Sequence, residues 1–111
     1  MGNGADIRYE EIELSYFVLC SFDLRNATSE DYEAAYSELA DLGLQRTLRA
    51  DNGNNVSLPN TTVAGIHNGT STSAVRDHFR SSIDTAFRRR GLSSKVFVSV
   101  GDNYAWGQKN T

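Results

Sequence analysis

The chain has 111 residues, 39% of them hydrophobic, 23% charged and 10% aromatic, which fits one globular domain and leaves no room for a second core. Its longest nearly uncharged apolar run, Leu14–Phe22, falls well short of the ~20 residues that a membrane helix needs. Net charge is −3, yet residues 1–45 hold ten acids against two bases and residues 46–111 hold four acids against nine bases, so a −8 half is joined to a +5 half.

Residues 1–12 contain Gly2, Gly4 and scattered charge and read as a flexible N-terminal segment. They lack the basic and apolar regions of a signal peptide, and the lone Cys20 sits in an apolar run, so a reducing, cytoplasmic location is the expectation. Ile12–Leu24 carries apolar residues on both parities, with Leu14, Tyr16, Val18, Cys20, Phe22 and Leu24 on one face and Phe17 and Leu19 on the other. Such a strand belongs at the centre of a sheet covered on both sides.

Thr28-Ser29-Glu30-Asp31 has the hydroxyls and acids of a helix start, and Tyr32, Ala35, Tyr36, Leu39 and Leu42 follow at helical spacing up to Gly43. Leu44–Ala50 alternates as a half-exposed strand does. The turn-rich Asp51–Asn60 then makes a connection long for a hairpin, one that either folds back locally or moves. Thr61–His67 reads as a third strand. Thr70–Ser73 caps a second helix with Val75, Phe79, Ile83 and Phe87 at four-residue steps and Gly91 as its stop. Lys95–Val100 is a fourth strand, and Gly101–Gly107, with Tyr104 and Trp106, reads as a short fifth strand or an aromatic clasp.

The order β-α-β-β-α-β predicts an α+β, ferredoxin-like sandwich over residues 13–107, an antiparallel sheet with both helices on one face and a short tail at 108–111. Two helices cover one sheet face only. Phe17, Leu19 and Phe97 on the other side predict a homodimer, or else a cover supplied by one of the chain's own ends.

Asp23 closes the apolar run at the end of the central strand. A carboxylate there suits a hard cation such as Mg²⁺, which takes oxygen ligands and activates water for phosphodiester cleavage; in the plainer reading it starts the Asp-Leu-Arg-Asn turn. Arg25, Arg46, Arg49, Arg76 and Arg80 are candidate phosphate ligands, since guanidinium meets phosphate oxygens with paired donors. Equally, they suit a solvated surface. His67 and His78 are eleven residues apart and match no zinc motif.

Taken with Tyr16–Leu24, Asp31–Tyr36 through Leu42-Gly43, Asn60–Gly65, Val75-Arg76-Asp77 and Val96–Val98 leading to Ala105-Trp106, the chain resembles the SinR-family proteins. Their relatives include the small CRISPR-associated adaptation endonuclease and virulence-associated protein D. The resemblance implies a ferredoxin-like homodimer whose strand-end aspartates face each other and, in nuclease members, serve metal-dependent cleavage of RNA or DNA. Asp23 is the matching position. Two functions follow as expectations. One is a Mg²⁺-dependent endoribonuclease-like protein in phage defence or a toxin system; the other is a non-catalytic module that binds nucleic acid or a protein partner. A small-ligand sensor ranks behind both, because no phosphate-cradling loop is present.

Overall fold

The structure is a computed structural model and describes residues 14–111. The flexible segment expected over residues 1–12, and the first positions expected of the opening strand, lie outside the described residues. The elements run β1 (Leu14–Leu24), α1 (Ser29–Asp41), β2 (Thr47–Arg49), β3 (Asn55–Ser57), β4 (Thr62–Gly69), α2 (Thr72–Arg89) and β5 (Ser94–Gly101).

β1 lies between β4 and β5 and pairs antiparallel with both. Its even positions, Tyr16, Val18, Cys20 and Phe22, are buried against Ala35 and Leu39 of α1 and Val75, Phe79, Ile83 and Phe87 of α2. The expected architecture, an α+β ferredoxin-like sandwich with its helices on one sheet face, is present. Phe22 sits at its aromatic centre, with ring centroids 5.5 Å from Tyr36 and 5.8 Å from Phe87. Truncating such a residue to Ala costs ~3–5 kcal/mol.

Both helices begin where their hydroxyls predict. Thr28 accepts from the Asp31 amide while the Asp31 carboxylate accepts from the Thr28 amide, and Ser71 accepts from the Ala74 amide. These bonds satisfy amides that the first helical turn leaves unpaired. At the other ends, Gly43 and Gly91 have φ of +86° and +70°, the left-handed region that glycine enters at least cost.

The second strand departs from expectation. The chain touches the main sheet at Gln45, which exchanges backbone bonds of 2.8 and 2.9 Å with Ala64. It then leaves, and β2 pairs with β3 as a separate hairpin. The reason is local. Asp51–Asn54 forms a tight turn in which Ala50 N–H donates to Asn54 O, Asn54 N–H donates to Asn52 Oδ1, and Gly53 takes φ +87°. Strand pairing six to ten residues away closes a far smaller loop than pairing with β4 does. Thus the long connection folds back on itself.

Residues 102–107 form no strand. The aromatic clasp is what is found: the Tyr104 ring stacks on Phe17 with centroids 5.1 Å apart, and Gln108 Nε2 donates to the Ser57 carbonyl at 2.6 Å. The C-terminal segment therefore crosses one end of the open sheet face and ties to the hairpin.

Candidate functional site

Alternation along β1 decides where Asp23 points. Even positions enter the core, so odd positions, Asp23 among them, lie on the face away from the helices. The pairing register completes that face. Phe17 is opposite Ile66 and Gly101, Leu19 is opposite Ala64 and Ser99, Ser21 is opposite Thr62 and Phe97, and Asp23 is opposite Lys95. The face thus runs from a charged end, Asp23 beside Lys95, through an apolar middle, to the end roofed by Tyr104. Phe97 is 65% exposed and Ile66 56%.

All five sequence-predicted arginines come from outside the three strands that make this face, Arg25 by one residue. Arg25 follows β1 directly, its amide donating to Ser93 O at 2.9 Å, and it is the base nearest Asp23 along the chain. Arg46 stacks 3.8 Å above the Tyr36 ring of α1, a cation–π arrangement. Arg49 sits on the β2–β3 hairpin. Arg76 and Arg80 lie on α2, across the sheet from Asp23, and both approach Asp77, at 2.9 and 3.9 Å. Asp23 and Arg25 come from one strand end; the other four belong to different elements.

Three further residues have structural employment. His67 Nε2 lies 3.1 Å from Gly43 O and its ring packs edge-on to Phe79, so it fastens the α1–β2 turn to β4. Tyr36 accepts the Thr61 amide at 2.9 Å and holds that residue at φ +56°. Burial pushes the Cys20 thiol up to about 12, which leaves it without thiolate character at neutral pH. That Lys95 is the cross-strand neighbour of Asp23 is not visible in the sequence, because register cannot be read before the sheet is known.

The surface of the described residues carries several depressions. A groove of about 490 Å³ between α2 and β5 is lined by Asp77, Arg80, Ser81, Asp84, Ser94 and Val96. A cleft of about 460 Å³ between the hairpin and the C-terminal segment includes Asp51, Val56, Tyr104 and Trp106. Among the described residues, no three His, Cys, Asp or Glu side chains gather as a metal site, and no helix is long and apolar enough to cross a membrane. Compared with known proteins, the chain matches no family model and no curated protein.

Proposed function

We propose that this chain is a non-catalytic interaction module that docks a protein partner on its open sheet face. The carrying observation is the apolar middle of that face, where Phe97 and Ile66 are more than half exposed beside Leu19 and Phe17. Large apolar side chains exposed on one sheet face are what an interaction site presents. Its chemistry selects the partner class. Among the described strand residues the face carries one acid and one base, Asp23 and Lys95, neighbours across the strands and of opposite sign, so these offer little field to a phosphate backbone and leave the apolar middle for a protein surface.

A second reading rests on Asp23, an exposed carboxylate at a strand end. In it, a face-to-face homodimer supplies two copies of that carboxylate to one Mg²⁺. Mg²⁺ binds through one or two carboxylates and retains waters, and Arg25 stands close enough in the chain to contact a bound phosphate. The metal would supply an activated water for cleavage of RNA or DNA; Asp23 would hold it.

One assay separates the two. Purified protein is incubated with labelled RNA and with labelled DNA in Mg²⁺, beside an EDTA control and the Asp23→Ala variant. The interaction module gives no Mg²⁺-dependent cleavage above the variant. Cleavage abolished by both EDTA and Asp23→Ala would establish the nuclease instead.

A further inference from the structure

We propose that two copies of this chain pair edge to edge through β5, with the α2 stripe Asp77–Arg80–Asp84–Arg88 meeting its own copy across the same two-fold axis. The contact is made at the sheet edge and brings Phe97 of the open face beside its own copy; it rests on the interaction-module reading of that face, since a face-to-face homodimer would add a second pairing.

Among the described residues β5 is the outer strand of the sheet, bonded to β1 alone. It is eight residues long, Ser94–Gly101, with Lys95 its one charge. A long, weakly charged edge of this sort is a template for another strand. The groove beside it is bounded by α2 through Asp77, Arg80, Ser81 and Asp84, and Arg88 joins the same stripe by gripping Asp84 with Nε at 2.9 Å.

The order of charges identifies the occupant. Along α2 the stripe reads acid, base, acid, base at 77, 80, 84 and 88. A two-fold axis sets a second copy of the helix antiparallel, which places Arg80 against the second copy of Asp84 and Asp77 against the second copy of Arg88. Every ionised group on the stripe then meets its opposite. Arg80 is available for this, since its contact to Asp77 is long, 3.9 Å, and both side chains are mostly exposed.

The strand obeys the same axis. Centring it on Phe97 puts Val96 opposite the second copy of Val98 and Lys95 opposite the second copy of Ser99, so β-branched residues pair and no like charges face each other. The two centres also lie at one level. From Arg89 back to Ser82 is ~10 Å of helix at 1.5 Å per residue, and from Ser94 forward to Phe97 is ~10 Å of strand at 3.3 Å per residue. Residues 90–93 join those starting points. One axis therefore serves helix and strand together, and the result is a continuous six-stranded sheet.

The test is a charge swap read by sedimentation equilibrium on the full chain at micromolar concentration. Wild-type protein is expected at about twice its 12.2 kDa mass, and to dissociate near 1 M salt, where the screening length falls to ~3 Å. R80D leaves three carboxylates on each copy's stripe and sets Asp84 of each against the new acid of the other, D84R puts like cations there, and each alone is expected to be monomeric. An equimolar mixture of the two restores opposite charges and is expected to recover the dimer. Both sites are exposed, and circular dichroism confirms that each variant is folded. A monomeric wild type, single variants that stay dimeric, or a mixture that stays monomeric would each overturn the proposal.

Discussion

Cys20 shows how far one side chain is governed by its surroundings. It faces the core between Val63 and Val98 of the neighbouring strands, and desolvation raises its thiol from 9.0 to about 12. The folded thiol keeps its proton at a pH where the unfolded thiol has lost it. Its contribution to stability is thus complete below about 9 and is lost as pH rises toward 12, at ~1.4 kcal/mol per pH unit. Urea midpoints are expected to fall on going from about pH 8 to about pH 10.5, and Cys20→Ala to lose part of that fall. At neutral pH, a thiol reagent is expected to label the protein only as it unfolds. The lone, apolar setting of Cys20 was legible in the sequence. The role of His67 was not: Gly43 and Gly65 approach so closely that a Cβ on Gly65 would collide with the Gly43 carbonyl, and that proximity exists only once the turn after α1 has met β4.

Between elements, the contact with a readable energy is the one joining the helix ends. Glu38, near the end of α1, accepts Arg90 Nε at 2.7 Å and lies 3.7 Å from Arg89, with its own side chain 14% exposed. Arg89 and Arg90 also complement the negative end of α2. Glu38→Gln is expected to lower stability by about 1 kcal/mol at low salt, and by less at high salt, when thermal melts of the two proteins are compared. The helices themselves were legible because their caps, apolar stripes and glycine stops are short-range signals. β1 was legible from its double parity. The second strand was not, because Leu44–Ala50 alternates equally well for a sheet edge and for a hairpin. What decides is the competition between Gln45 meeting Ala64 and the turn at Asp51–Asn54, and alternation carries no trace of it. The same blindness applies at the charged end of the face. Asp23 is conspicuous in sequence, whereas its cross-strand companion Lys95 lies 72 residues away.

At the scale of the molecule, the C-terminal clasp resolves part of the shortage of cover that two helices leave. Tyr104→Ala is expected to cost about 1 kcal/mol through lost ring stacking on Phe17. It is also expected to raise the fluorescence of a dye that binds exposed apolar surface in the native protein. The remaining apolar surface, around Phe97 and Ile66, is what the interaction reading uses. The position of β1 has a consequence of a different kind, for synthesis. The first described strand is the middle one, and both strands that hydrogen-bond to it, β4 and β5, come after residue 61. A nascent chain emerging at ~5–20 residues per second holds β1 without either partner for several seconds until β4 arrives, and with one edge still open until β5 follows. Local hairpins cannot relieve that wait, since every pairing of β1 spans more than 40 residues and loop closure comes first. During the interval, the exposed backbone travels with the half of the chain that carries ten acids and two bases. Mutual repulsion between such chains opposes association while the last strand is still being made.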